Sequence, residues 1–240
     1  MRFNHANIVF MLKAELMGDK RLSKVFVIGA TGGVGHRLCP ELIHNGHKVK
    51  AMYRSDEQKE TLKAIGCETV KADLMEMTAE QLTDMTKGCD IIVFSAGAAG
   101  SGLPRTSEID GQGPVKMVEA AERNGIRRIY LVSAFPEAGR GNDPKPGFEH
   151  YMKVKKQADT YVTASDLDWV ILRPGTLLHE DADGKIALGW SLNYGSVKRG
   201  NVANTLAKLI DSPQIKKQIL ELTDGKSTIA DAVSPFLKDS

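Results

Sequence analysis

Apolar runs alternate with mixed, helically spaced stretches along most of this chain, and that alternation sets the first expectation of fold. The runs at 25–28 (VFVI) and 91–94 (IIVF) contain no polar position and read as strands buried on both faces of a sheet. Shorter or mixed runs predict further strands at 48–53, 68–71, 129–133 and 169–172. Between them, apolar residues recur at helical spacing over 34–45, 56–65, 79–85 and 148–165. Another helix runs from Glu108 through Val115, Val118 and Ala121 to Asn124, where Gly125 is a good terminator. Strands alternating with helices over about 150 residues predict an α/β fold: a doubly wound parallel sheet around a single core. Closing helices are expected at 201–211 and 229–237. The glycine-rich loop 97–104 is expected near a ligand, and a loop of glycine, proline and charge spans 136–147.

Residues 1–23 stand apart from this pattern. Their apolar run, 8–12, is flanked by Arg2 and Lys13, is too short to span a bilayer and lacks a small-residue cleavage site. The segment reads as a short amphipathic arm or as an upstream start with Met17 the true one, so the fold is expected in 24–240. Composition then narrows the partners. Lys plus Arg total 32 against 30 Asp plus Glu, a formal charge of +2, and the basic residues are scattered rather than striped. Neither nucleic acid nor a membrane surface is expected as a partner, oligomeric state is left open, and no metal site is expected. Three widely spaced cysteines, Cys39, Cys67 and Cys89, fit a reduced, cytoplasmic compartment.

Candidate chemistry begins where the first strand ends. Gly29, Gly32 and Gly35 are spaced three apart between the strand at 25–28 and the following helix, and the strand at 48–53 completes a βαβ unit. Gly29 permits the tight turn, Gly32 lets the backbone approach a phosphate, and Gly35 lets the helix pack close to the strand. The free N–H groups and positive dipole end of that helix then face an anion. The spacing predicts a dinucleotide pyrophosphate there.

The residue after the second strand selects the cofactor. An acidic residue about twenty positions past the glycines would hold a ribose 2′-hydroxyl, but this chain has Tyr53-Arg54-Ser55. A guanidinium clamps a 2′-phosphate that a carboxylate would repel, so Arg54 favours NADP, with NAD the alternative and Arg37 and Ser55 as candidate helpers. The competing reading of Arg54 is a solvated strand-end charge, since Asp56 and Glu57 follow at once. Asp73 is placed to accept from an adenine amino group, or to cap its own turn.

Tyr151 and Lys155 are four apart on a predicted helix and share a face. A tyrosine moved from its ordinary pKa toward neutrality needs about 4 kcal/mol of differential stabilisation, which an ammonium and an oxidised nicotinamide would supply together. Lys155 would be that ammonium and would also reach the nicotinamide ribose. Ser133, at the carboxyl end of a strand, would donate to a substrate carbonyl oxygen. The same Tyr-x-x-x-Lys spacing recurs at Tyr194 and Lys198, bounded by glycines. Only the first pair sits on a predicted helix after a strand ending in serine.

Taken in order, Gly29-Ala30-Thr31-Gly32-x-x-Gly35, Asp73-Leu74, Ser95-Ala96-Gly97, Val132-Ser133-Ala134, Tyr151-x-x-x-Lys155 and Leu172-Arg173-Pro174-Gly175 resemble the short-chain dehydrogenase/reductase superfamily. The likeness covers about residues 24 to 233. It is closest to the small, atypical, NAD(P)-binding bacterial branch, which also resembles NmrA-like proteins and biliverdin reductase B. The resemblance implies a Rossmann-like fold and a catalytic set of Ser133, Tyr151 and Lys155. Implied cofactor contacts are Gly29, Thr31, Gly32, Gly33, Val34, Gly35, Arg54, Asp73, Leu74, Ala96, Gly97 and Lys155, with Pro174 bordering the nicotinamide. Two positions depart from the pattern: Asp110 stands where many relatives have an asparagine, and Asn201 replaces an aspartate common in the branch.

Only 65 residues follow Gly175, too few for a large glycosyl-binding lobe. Residues 179–200, with Trp190 and Tyr194, are expected to form a lid over a small or flat substrate, and His179 faces either that pocket or solvent. The leading expectation is an NAD(P)-dependent, NADP-preferring oxidoreductase acting on a small carbonyl, quinone or flavin-like substrate. Two alternatives remain: a redox-sensing regulator that binds cofactor without turnover, and an epimerase-like enzyme with tightly held NAD.

Overall fold

A computed structural model describes residues 22–139 and 147–237, so expectations for the first 21 residues and for 140–146 lie outside the described residues. The strands are β1 (Lys24–Ile28), β2 (Lys48–Tyr53), β3 (Glu68–Lys71), β4 (Ile91–Phe94), β5 (Arg128–Val132), β6 (Asp168–Pro174), β7 (Thr176–Leu178), β8 (Lys185–Gly189), β9 (Ser196–Lys198), β10 (Gln218–Asp224) and β11 (Ser227–Thr228). Besides a single α-helical turn at Leu103–Arg105, the α-helices are α1 (Gly35–His44), α2 (Asp56–Ala64), α3 (Ala79–Thr86), α4 (Gly113–Asn124), α5 (Phe148–Ala164), α6 (Arg199–Ile210) and α7 (Ile229–Val233).

Nine strands form the main sheet in the order β11-β8-β10-β6-β5-β4-β1-β2-β3. From β10 to β3 all neighbours are parallel, while β8 runs antiparallel to both β10 and β11. This is a doubly wound, Rossmann-like sheet in a single domain. Each strand reverses facing at every residue, so β1 feeds two cores. Val25 and Val27 pack with Leu38 and Leu42 of α1 and with Val202 and Leu206 of α6. Phe26 and Ile28 pack on the other face with Leu82 of α3 and Met117 and Ala121 of α4. At about 1.5–3 kcal/mol for each fully buried large apolar side chain, these layers are the main source of the fold's stability.

The predicted strands and helices lie within one or two residues of the observed ones as far as Leu172. Two differences bear on function. The helix expected from Glu108 is π-helical over Thr106–Gln112 and becomes α-helical only at Gly113. The expected lid, 179–200, contains β8 and β9, and β9 pairs with β7 in a small parallel ribbon. β10 escaped the pattern because QILELTD mixes charges into a short strand, yet parallel pairing with β6 buries its Leu220 and Leu222 completely. Among the described residues no helix is long and apolar enough to cross a membrane.

The chain leaves β1 toward β2 and β3 on one side and returns to β4 on the other. The crevice beyond the carboxyl ends of β1 and β4 is therefore the topological switch point. Its floor is a backbone contact. Gly29 has φ +84°, and a Cβ there would fall 2.5 Å from Ala96 N, while a Cβ on Gly35 would fall 2.1 Å from Gly29 O. Gly35→Ala is expected to destabilise the protein by about 2 kcal/mol, because the obstructing atom is a carbonyl that cannot swing aside. Chemical denaturation checks this as a lowered midpoint at unchanged slope.

Candidate active site

The glycine turn is ordered by its own backbone. Gly32 N–H donates to Gly29 O at 3.0 Å, and His36 N–H donates to Gly32 O at 3.0 Å. The N–H groups of Gly33 and Val34 have no acceptor among the described residues. Thr31 and Gly32 are half-buried at the mouth of the turn, and the Ala96 backbone closes its far side. These features fit a dinucleotide: a cradle that side chains would fill, unpaired donors, and the amino end of α1. Arg37 belongs to this turn rather than to the adenosine end, since its Nη1 donates to Gly33 O at 2.9 Å and its Nε to Asp181 Oδ1 at 3.0 Å.

Arg54 lies exposed just past β2. The acids that follow do not claim it: Asp56 accepts from Lys71 Nζ at 2.9 Å, and Arg54 has no ion pair among the described residues. Its backbone N–H and that of Ser55 both donate to Gln58 Oε1, which fixes the start of α2. Asp73 uses Oδ1 to accept from Met75 N–H at 3.0 Å, as a turn-capping residue does. Leu74 is buried in the core beneath it.

The second cluster sits at the carboxyl end of β5. Tyr151, Lys155 and Asp159 are successive positions of one stripe on α5. Lys155 is buried, donating to Val132 O at 2.9 Å and lying 3.7 Å from Asp110 Oδ1. The π-helical segment carries Asp110, whose other oxygen accepts from Ala98 N–H at 3.0 Å. One carboxylate thus ties the loop after β4 to the lysine. Gly97 lies against it, since a Cβ there would fall 3.3 Å from Asp110 Oδ1. Burial pulls the Lys155 ammonium below its ordinary pKa, and Asp110 and Asp159 act in the opposite direction.

Tyr151 departs from expectation. Burial, then the nearby carboxylates Asp110 and Asp159, push its phenol well above the ordinary value. The expected lowering draws on Lys155 together with an oxidised nicotinamide; of these, the Lys155 ammonium points to Val132 and Asp110. Ser133, just past β5, is only 5% exposed, and its hydroxyl has no hydrogen-bond partner. It stands beside Asp159, near enough to favour the ionised carboxyl but outside hydrogen-bonding geometry. Asp159 accepts from Arg173 Nε at 3.0 Å and Nη2 at 2.8 Å through Oδ2, leaving Oδ1 buried and unpaired. Burial is the larger influence and raises its pKa.

Pro174 ends β6 buried beside this group, and Gly175 is so close to Gly195 that a Cβ would fall 2.0 Å from its carbonyl oxygen. Phe135 and Tyr194 meet edge to face at 5.4 Å, and Phe148 and Tyr151 stand 6.1 Å apart. The second Tyr-x-x-x-Lys match is structural: Tyr194 lies in the loop before β9, and Lys198 ion-pairs with Asp224 and Asp183. His179 is exposed. A separate cleft of about 470 Å³, lined by Ser107, Gln112, His150, Lys153 and Tyr161, opens on a different face of α5 from Tyr151 and Lys155. Sequence reading missed the Asp159–Arg173 pair, although both signals were present: an acid four positions after Lys155 and an arginine in the strand-end motif.

A family model described as NAD(P)H-binding matches residues 29–213. The chain is 38% identical over 212 residues to a Bacillus subtilis (strain 168) protein named as an uncharacterized sugar epimerase, YhfK, covering 88% of this chain and 98% of that one. A structure from Bacillus halodurans, provisionally identified as an NAD-dependent epimerase/dehydratase, superposes with a TM-score of 0.80 at 31% identity, covering 89% of this chain and 99% of its own. The oxidoreductase ylbE of Lactococcus lactis gives a TM-score of 0.76 at 28% identity, covering 90% and 97%.

Two measurements follow from the buried charges. Arg173→Met should destabilise the protein by about 3–5 kcal/mol at neutral pH, because Asp159 is left buried without a counter-charge. Asp159→Asn in that background should recover part of the loss. A buried carboxyl with a raised pKa binds its proton more tightly in the folded state, so the Arg173→Met deficit should shrink as pH falls through that pKa. Ultraviolet titration of the cofactor-free protein, compared with Tyr151→Phe, should show Tyr151 ionising above an ordinary tyrosine.

Proposed function

The chain belongs to the NAD(P)H-binding family, and from that premise we propose an NADP-preferring oxidoreductase of the short-chain dehydrogenase/reductase type. Its substrate would be a small carbonyl, quinone or flavin-like compound. The observation that carries the reading is the stripe on α5: Tyr151 beside the buried Lys155, whose charge Asp110 balances, at the carboxyl end of β5. The three cysteines, free and buried, fit the proposed cytoplasmic setting.

In this reading the glycine turn holds the diphosphate, Arg54 the 2′-phosphate and Lys155 the nicotinamide ribose, while Thr31, Asp73, Ala96, Gly97 and Pro174 line the remaining cofactor cleft and Leu74 supports it from the core. When bound in reduced form, the nicotinamide supplies a hydride. Tyr151 gives its proton to the substrate oxygen as negative charge develops there, and the resulting phenolate regains a proton from water. Burial holds the phenol above its ordinary pKa, which keeps it protonated but makes it a weaker acid, so its proton moves only as charge develops on the substrate oxygen. The unpaired Ser133 hydroxyl is the donor available to polarise that oxygen.

The names of the Bacillus relatives favour a second reading, an epimerase that oxidises and re-reduces one substrate without releasing cofactor. Protein that purifies with stoichiometric NAD and turns over without added cofactor would establish it. For the first reading, calorimetry should show NADPH bound more tightly than NADH. Arg54→Ala should remove most of that preference, a change of about 10- to 100-fold. A screen of carbonyls, quinones and flavins for NADPH consumption should identify the substrate class. Tyr151→Phe should then lower turnover by about 100-fold or more while leaving NADPH affinity nearly intact.

A further inference from the structure

Arg199, the first residue of α6, lays its side chain against the glycine turn. A Cβ built on Gly33 would fall 2.5 Å from Arg199 Cδ and 2.6 Å from its Nε, so the arginine runs through space that any larger residue at 33 would claim. Its Nη1 donates to Leu177 O at 3.0 Å, which anchors it to β7. Among the described residues no carboxylate pairs with it. Arg37 is different, since Asp181 neutralises it. The charged neighbour that Arg199 does have is Arg37 itself, and burial together with that repulsion lowers the proton affinity of Arg199.

A half-buried guanidinium facing a like charge, beside two unpaired backbone N–H groups, lacks an anion in the protein alone. We infer that Arg199 is a diphosphate-binding residue, which reaches over Gly33 to hold a phosphate group of the bound dinucleotide. The inference rests on the nucleotide reading of this site and adds to it a contact from the far end of the chain. The position selects the diphosphate over the 2′-phosphate, because Arg199 stands at the turn before α1 whereas Arg54 stands past β2. Glycine at 33 is what makes the contact available.

Calorimetry of the full chain with NADPH, NADH, ADP and adenosine tests this. Arg199→Gln should weaken NADPH, NADH and ADP alike by about tenfold or more, leave adenosine unchanged and reduce the salt dependence of ADP binding. Arg199→Lys, which keeps the charge but loses the fork, should fall between. Equal affinities of the parent and Arg199→Gln for ADP would overturn the assignment, as would a loss confined to NADPH, which would move Arg199 to the 2′-phosphate. Should Arg199→Gln fail to fold, Gly33→Ala carries the test. It pushes the arginine stem aside, so its loss of ADP affinity should be substantial in the parent and much smaller in Arg199→Ala, which has no stem to displace, and equal losses would refute the contact. A parent protein that binds none of the three phosphate-bearing probes would instead sink the nucleotide reading itself.

Discussion

Much of this molecule depends on one close approach of backbone to backbone. Where β1 ends, the carbonyl of Gly29 faces Gly35 and its α-carbon faces Ala96, with no room for a Cβ on either glycine. That contact brings α1 against the sheet and the loop after β4 against the turn. It thereby places the amino end of a helix at the point between β1 and β4 where the parallel order reverses direction. The apolar layers on both sides stabilise this arrangement, and their close packing requires the same approach of helix to sheet. The glycines set the distance, and the distance makes the crevice.

Charge is organised around that crevice in two different ways. At the end of β5 each buried ion has its counter-ion within the protein: Asp110 for Lys155, and Asp159 for Arg173. The π-helical segment is what makes the first pair, since Asp110 comes from it and reaches both Lys155 and the Ala98 backbone. Aspartate rather than asparagine at this position puts a full charge where the lysine ammonium is desolvated. A neutral amide could accept the same hydrogen bond, yet it could not offset the burial of that ammonium.

The sequence made the first two-thirds of the fold legible because parallel strands buried on both faces leave apolar runs that few other structures produce. The glycine turn, Arg54 and the Tyr151–Lys155 stripe were legible for a similar reason, since local spacing alone puts them where they are. What escaped depended on long-range pairing. β10 is a strand because β6 and β8 flank it, and Lys198 is structural because Asp224 and Asp183 surround it. The direction of the Tyr151 shift escaped for the same reason. A motif shows that a lysine lies four residues away, but not that its ammonium turns toward Asp110 and Val132.

The contrast between the two ends of the crevice bears on how binding and chemistry divide the work. Lys155 is held by Asp110 and Val132, and Asp159 by Arg173, so their geometry exists before any ligand arrives. In the proposed reaction, little reorganisation is then needed when charge develops on a substrate oxygen. The turn at Gly33 is the reverse case: among the described residues two of its N–H groups have no acceptor and the Arg199 guanidinium, held by the Leu177 carbonyl, has no carboxylate partner, so an anion there gains interactions that these residues do not supply. Affinity would accordingly concentrate at the phosphate end, remote from the reacting atoms, where it can hold a substrate in register without stabilising the ground state at the reacting centre. The β7–β9 ribbon connects the two ends, since Pro174 lies just before β7 and Arg199 just after β9. Occupation of the turn would therefore bear on the ribbon that starts beside Pro174.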